Sequence, residues 1–269
     1  MTTIPFMPRR FRTAAAHYLQ GRPPYAAGLF PRIARTCGLG LGPDHRVMDL
    51  GCGPGQIAVA LAPLAGEVVG IDPEPEMLAV AAEAAERAGV RVTWHQGSSY
   101  DLGPQFGRFR LVTMGRSFHW MDRAETLRRL DAMIDPGGAV VLIHDDHPKV
   151  PDNRWVQTYR ELLDRYSEDD PDRQLRKSPD WPNHTAVLLD SPFGRLEEVA
   201  VIERRRIPAD TLAARTLSMS STAPERIGAR AAELLAEIEA LSAEYAADGM
   251  LTEVVTSTAL IARRPDEAE

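Results

Sequence analysis

The chain has 269 residues and a formal net charge of −7, with 31 Lys and Arg against 38 Asp and Glu. Phosphate backbones are held by clustered cations, and the basic stretches Arg9–Arg12 and Arg204–Arg206 are too short for that, so a broad nucleic-acid surface is excluded. Two cysteines, Cys37 and Cys52, make no disulfide framework and fit a reducing compartment.

The opening segment, MTTIPFMPRRFRTAAAHYLQGRPP, carries an Arg pair with no apolar run behind it. His17, Gln20 and Arg22 interrupt it, so a signal peptide is not expected. No apolar run approaches the length of a membrane span, and a cytoplasmic location is expected. Residues 45–50 read as a short buried strand. Gln56–Leu64 reads as a helix, Val68–Ile71 as a second strand, and Met77–Ala88 as an Ala-rich helix ended by Gly89. Val90–His95 alternates like a third strand, and Arg110–Met114 is a fourth. Ala124–Met133 reads as a helix stopped by Asp135-Pro136-Gly137-Gly138. Ala139–Ile143 is a fifth strand, apolar throughout as a strand covered on both faces should be.

Beyond Ile143 the pattern changes. Residues 151–194 hold one helix, Trp155–Tyr166, and then polar, Pro-punctuated sequence. Leu196–Arg206 reads as a strand, Ala209–Thr222 is ambiguous, Pro224–Ala247 reads as one long amphipathic helix, and Leu251–Ala262 as a last strand. The final two strands are expected to close one sheet edge as an antiparallel ribbon. Strand–helix alternation with short connections predicts an α/β fold: a doubly wound, seven-stranded, mostly parallel sheet with a helical cover. In such sheets ligands bind outside the carboxyl ends of the strands. That brings Gly51–Gly55, Asp72, Ser98–Ser99 and Gly115–Trp120 to one rim.

Glycines at 51, 53 and 55 let the chain turn tightly after the first strand and approach a ligand closely. A nicotinamide site uses G-x-G-x-x-G, but here Gln56 stands where the last glycine would fall. Asp49 puts a carboxylate where pyrophosphate would come close, which suits a cation. Asp72 ends the second strand, where it can accept hydrogen bonds from ribose hydroxyls. A ligand with free sugar hydroxyls, no close pyrophosphate and a positive group is implied, and S-adenosylmethionine (SAM) has all three properties.

Residues 47–55 resemble the first motif of the class I SAM-dependent methyltransferases, Val69–Asp72 resembles the second, and DPGGAVVLI (135–143) resembles that family's turn and fifth strand. The likeness covers about residues 40–145, with TSTALIAR (256–263) as a terminal strand. HYLQGRPPY (17–25) and SFHWMD (117–122) are similar to segments of the trans-aconitate methyltransferase-like (methyltransferase type 11/25) small-molecule group. The resemblance implies SAM as cofactor and S-adenosylhomocysteine as product. It implies cofactor contacts from Tyr18, Arg22, Tyr25, Asp49, Gly51, Gly53, Gly55, Gln56, Asp72, Pro73, Met77, Ser98, Ser99, Gly115 and Phe118, with Arg22 facing the methionine carboxylate. Many relatives carry an acid after the third strand; here QGSSYD leaves that role to Ser98 or Ser99, or to Asp101 swinging in.

Methyl transfer from a sulfonium is an in-line displacement, so the protein mainly positions the two reactants and excludes water. A base matters only for a protonated acceptor. His119 is the first candidate, with His144 the second; His147 stands nearby in the IHDDH tract (143–147). No metal is expected, because Arg116 places a cation where a catechol-type metal site would need an acid. Cys52 is expected to pack beneath the turn.

One methyltransferase domain is expected over 1–269. It comprises N-terminal lid helices (1–40), a SAM-binding core (41–145), an acceptor-binding cover (146–225), and a closing helix and edge strand (226–269). The expected partner is a small-molecule acceptor, methylated on oxygen in natural-product metabolism, with nitrogen or carbon transfer or a non-methylating SAM binder as alternatives. The protein is expected to be a monomer or homodimer with no nucleic-acid or membrane partner.

Overall fold

The sheet is built on strands too apolar to face water. In the computed structural model, which describes residues 3–7, 11, 15–42 and 45–265, Val47, Met48 and Leu50 of the first strand are all buried. Among the described residues seven strands form one sheet: β1 (Arg46–Leu50), β2 (Glu67–Asp72), β3 (Thr93–Gln96), β4 (Phe109–Gly115), β5 (Ile134–Asp146), β6 (Arg195–Pro208) and β7 (Met250–Arg263). Their order is β3-β2-β1-β4-β5-β7-β6. The first five run parallel, and β7 pairs antiparallel with both β5 and β6. Chain order reverses between β1 and β4, so the rim at their carboxyl ends is the switch point where a ligand is expected.

Period-two alternation sends successive residues to opposite faces. Met48, Leu50, Val112, Met114, Val140 and Leu142 pack on one face with Leu127 and Leu130 of α5 (Arg123–Asp131), and with Val187 and Leu188 of α8 (His184–Leu189). Val47, Leu111, Val141 and Ile143 face the other way, against α2 (Leu29–Thr36) and α3 (Gln56–Leu61). Asp49 shares that second face, and this is what brings its carboxylate to the start of α3. The α4 helix (Pro75–Arg87) crosses from β2 to β3.

The β6–β7 ribbon is longer than the sheet it closes. β7 pairs with β5 over residues 256–262, whereas Met250–Val255 pair with β6 alone. Because Thr256 stands opposite Asp146, this overhang projects past the carboxyl ends of the parallel strands. A third apolar cluster gathers on it: Trp155, Tyr159, Leu162 and Leu163 of α6 (Arg154–Tyr166), Leu212 of α9 (Thr211–Leu217), Leu234, Ile238 and Leu241 of α11 (Ala231–Tyr245), and Ile207 and Leu251 of the ribbon. These elements, with α1 (Ala15–Gly21) and α7 (Pro171–Lys177), form a cap above the rim.

Three sequence expectations are corrected. The third strand begins at Thr93 and not at Val90. The Asp135–Gly138 turn lies inside β5 as a register shift between Phe109 and Leu111 on the facing strand. The single helix expected over 224–247 is broken into α10 (Pro224–Ile227), a 3₁₀ turn and α11, because Gly228 takes φ +53°, outside the helical region. The ambiguous 209–222 stretch holds α9 followed by a loop. Of the basic stretch Arg9–Arg12, only Phe11 lies within the described residues. No helix among them is long and apolar enough to cross a membrane.

Candidate active site

The carboxyl ends of β1 to β5 and the underside of the cap enclose a cavity of about 430 Å³. The four stretches expected at the rim all reach it. Gly51 sits at φ +68°, and a Cβ there would come within 2.6 Å of the Ser117 Cβ. Gly53 sits at φ +52° with open space where its Cβ would be, so the turn presents bare backbone to the cavity. The N–H of Gly53 donates to Asp72 Oδ2 at 2.7 Å, and that of Glu74 to Asp72 Oδ1 at 2.9 Å. The carboxylate at the end of β2 thus fixes the glycine turn and still lines the cavity. Burial pushes its pKa up to about 6, opposed by those two hydrogen bonds, with the Glu74 charge adding to the rise.

Gly51, Gly53, Asp72, Pro73, Met77, Ser98, Ser99 and Gly115 line the cavity, as do Tyr18 and Arg22 from the N-terminal segment. Tyr25, Asp49, Gly55, Gln56 and Phe118 do not, and each stands one layer behind it. Asp49 is buried, accepting from the Ala58 N–H at 3.1 Å and from Thr113 Oγ1 at 2.9 Å. Burial pushes it up to about 7 against those two donors, with a further rise from Asp72. Gly55 caps α3 at φ +78°. Gln56 donates from Nε2 to the Arg22 carbonyl at 3.1 Å, tying the N-terminal segment to the glycine turn. Tyr25 is buried with the Arg116 guanidinium 4.5 Å above its ring. Phe118 turns into the core, and this is the clearest departure from its expected cofactor contact.

Ser98 and Asp101 close on each other: Asp101 Oδ2 accepts from the Ser98 N–H at 2.7 Å and its hydroxyl at 2.8 Å. Those bonds hold Asp101 below the ordinary carboxylate range, and the side chain turns away from the cavity. Arg22 donates from Nε to Ser218 Oγ at 2.8 Å, and among the described residues no carboxylate pairs with it. Burial lowers its pKa, so it is a cation short of a counter-charge. Arg116 adopts φ +56°, unusual for a residue with a Cβ, and donates to Asp145 Oδ2 at 2.6 Å.

Both candidate bases line the cavity. The His119 ring lies 4.5 Å from that of Trp120 and 6.3 Å from that of His184, nearly parallel to the latter. Burial lowers His184 to about 4, with Arg123 and His144 contributing, so this neighbour is neutral across the physiological range. The rest of the IHDDH tract disperses along an extended backbone: Asp145 to Arg116, Asp146 to Arg160, and His147 to Glu253. Cys52 is buried, and burial raises its thiol well above the ordinary value, in keeping with packing beneath the turn. From the cap, Met219 reaches the cavity, whereas Trp155 and Tyr159 belong to the cap's core.

Sequence reasoning missed Phe11, Glu74, Arg173, Arg176 and Ser218 as lining residues. Arg173 and Arg176 had a weak signal: an i, i+3 pair places both on one face of α7. The serine run 218–221 sits in the stretch whose periodicity was ambiguous.

Residues 47–138 match the methyltransferase domain family. Over that stretch, which takes in β2, β3, β4 and parts of β1 and β5, the chain is similar to a methyltransferase domain. The domain aligns at 36% identity over 98 residues with the ubiquinone biosynthesis O-methyltransferase of Azorhizobium caulinodans, a match covering 36% of this chain and 39% of that protein. The chain therefore spans well under half the length of that relative. An uncharacterized methyltransferase of Mycobacterium tuberculosis is 26% identical over 197 residues, covering 67% of this chain and 74% of its own. Among solved structures, a SAM-dependent methyltransferase from Geobacter sulfurreducens in complex with S-adenosyl-L-homocysteine superposes with a TM-score of 0.52 at 20% identity, covering 98% of this chain and all of that one. At that identity the likeness establishes the methyltransferase fold.

Proposed function

We propose that this chain transfers a methyl group from SAM to a small organic acceptor, with oxygen as the methylated atom and natural-product tailoring as the setting. The observation that carries the reading is the pairing of an open glycine turn with a nearly buried Asp72 at one end of a cavity whose other end is cationic. The residues fit the cofactor. Gly53 leaves room for close backbone approach, and Asp72 keeps lone pairs for ribose hydroxyls. Burial pushes Asp49 up to about 7 and Asp72 up to about 6, and a cation nearby would favour their ionised forms. Arg22, which pairs with no carboxylate among the described residues, is suited to the methionine carboxylate. The O-methylating relative supports oxygen as the acceptor atom.

SAM, when bound, supplies an electrophilic methyl on a sulfonium. The chain's own task is then to orient the acceptor, exclude water and, for a hydroxyl, accept its proton. His119 stands at the cavity wall between two rings that restrict its rotation, and neutral imidazole at its Nδ1 or Nε2 takes that proton. His144 is the second base on the same wall. Calorimetry with S-adenosylhomocysteine tests the cofactor, with micromolar binding expected. Acceptor-dependent release of S-adenosylhomocysteine across a panel of phenols, amines and carbon acids tests the transfer. A folded protein that binds no S-adenosylhomocysteine at high concentration overturns the reading.

A further inference from the structure

The N-terminal segment meets the cap at a point where only glycine fits. A Cβ on Gly21 would fall 2.2 Å from the Arg215 backbone nitrogen, so the end of α1 lies directly against α9. This close approach sets Arg22 beside the loop that follows α9. Arg22 is then held at three points. Its N–H donates to the Tyr18 carbonyl at 2.8 Å, its carbonyl accepts from Gln56 Nε2 at 3.1 Å, and its Nε donates to Ser218 Oγ at 2.8 Å. Ser218 is fixed in turn. It is buried, its N–H donates to the Ala214 carbonyl at 3.0 Å, and its hydroxyl donates to the Arg215 carbonyl at 2.7 Å. The one hydroxyl proton is committed to that carbonyl, so the oxygen meets Arg22 as an acceptor only. Arg215 itself is anchored to the buried Glu253 at 3.0 Å. Both Arg22 and Ser218 line the cavity.

Resting on the S-adenosylmethionine reading, we infer that Ser218 is a positioning residue for Arg22, taking its Nε–H and leaving the two Nη groups to the carboxylate at the methionine end of the cofactor. A guanidinium offers a carboxylate two kinds of edge, Nε with one Nη or the two Nη together. Ser218 occupies the first and so selects the second. Burial lowers the pKa of Arg22; Tyr18 opposes this and Arg116 adds to it, so the side chain is a cation that an anion would relieve. A long side chain ordered before its ligand arrives costs less to immobilise on binding. Ser218 belongs to the cap, whose Met219, Ser220 and Ser221 also line the cavity. The cap is thereby part of the cofactor site as well as a cover over it.

The test titrates the full chain calorimetrically with S-adenosylhomocysteine and with 5′-methylthioadenosine, which has the adenosine and the sulfur but lacks the amino-acid end. The native chain is expected to bind the first about tenfold or more tightly, because the second cannot make the charge-assisted pair. Ser218→Ala is expected to weaken S-adenosylhomocysteine about tenfold and to leave methylthioadenosine binding as it is in the native chain. Arg22→Lys keeps a cation but removes the partner of Ser218, so adding Ser218→Ala to it is expected to change nothing further. A preference that survives intact in Ser218→Ala overturns the inference and leaves the cofactor reading standing. So does an equal loss for both ligands, with or without loss of the fold, since a residue that only supports the cap does not discriminate between them. Equal binding of the two ligands by the native chain also overturns it. Failure of the native chain to bind either overturns the cofactor reading as well.

Discussion

Beneath the cavity, Asp49 and Asp72 are held mainly by backbone N–H groups, whereas the buried Glu253 of the cap is held by charged side chains. Asp49 accepts from the Ala58 N–H, and Asp72 from the N–H groups of Gly53 and Glu74. Glu253, fully buried on the overhang of β7, accepts from Arg205, from Arg215 and from His147. Burial would raise Glu253, but the hydrogen bonds of His147 and Arg215 and the charges of Arg215 and Arg205 hold it well below the ordinary carboxylate range. Asp170 takes Arg226 as well as the N–H groups of Asp172 and Arg173 at the start of α7, and the partly exposed Asp164 takes Arg173 and Lys177. A carboxylate satisfied by backbone demands a particular turn, and the turn demands glycine at set positions. A carboxylate satisfied by guanidiniums accepts them from any element that comes near. The first arrangement leaves a pattern in the sequence and the second does not.

The contrast can be broken at four points. The largest effect is expected at His119, which belongs to the proposed chemistry and not to either set of carboxylates. His119→Ala should lower turnover by roughly 10²–10⁴ with little change in S-adenosylhomocysteine affinity. A fall in both together, seen by pairing steady-state rates with calorimetry, would place the imidazole in the cofactor pocket and move the base to His144.

Next comes the cap's own hub. Glu253→Ala strands Arg205 and Arg215 and should cost about 3–5 kcal/mol of stability, the usual penalty for breaking one side of a buried ion network. Arg215 also donates to the Gly21 carbonyl, and Arg205 to that of Pro24. Hydrogen exchange should therefore show α1 and α9 losing protection while α3 and α4 keep theirs. Uniform loss across the chain would mean that the sheet and cap do not differ as described.

Asp72→Ala tests the sheet side. It removes a charged acceptor from two ribose hydroxyls and should weaken SAM binding by about 2–3 kcal/mol. An unchanged dissociation constant in the folded variant would falsify the ribose assignment.

The smallest effect is a pH dependence with opposite signs for binding and stability. Burial pushes Asp72 up to about 6 and Asp49 up to about 7 from the ordinary 3.8. A bound cation and hydroxyl donors favour the ionised carboxylates, so binding releases protons. Affinity for SAM should rise between about pH 5 and 7 and level off above. Without ligand the folded chain holds protons that the unfolded chain has released from about pH 4 upward, so its stability from these groups falls as pH rises through the same window. Titrating the dissociation constant and the melting temperature across pH 5–8 checks both signs; a flat binding profile would mean that neither acid meets the ligand.

These differences explain what was legible. Val47–Gly55 and Asp72 could be placed from the sequence because the turn they form has few solutions: a buried strand, bare backbone, and a carboxylate that caps it. The four rim stretches followed from the parallel order alone. The expectation for Phe118 went astray because an aromatic after β4 has two sides to pack on, and nothing in SFHWMD tells core from cavity. Arg173 and Arg176 were hidden because the polar, Pro-punctuated stretch after α6 carries no apolar stripe to mark the short helix that brings them to the cavity. The long helix over 224–247 looked continuous because its apolar stripe persists on both sides of Gly228, while a single positive φ is enough to divide it.

The overhang of β6 and β7 has one further consequence. It is a cantilever whose reach comes only in steps of two residues. Leu251, Glu253 and Val255 face inward, with Thr252 and Val254 less buried between them. Adding or removing a residue pair in both strands would lengthen or shorten the arm and keep those faces, whereas a single-residue change would turn Glu253 outward and bring Thr252 or Val254 to face Arg215. The arm's free end pairs with nothing in the parallel sheet, so an exchange of residues 209–249, which hold α9 to α11, leaves the pairing of β1 to β5 untouched. A protein built this way can change what it accepts by altering the arm and its load, while the platform beneath stays as it is.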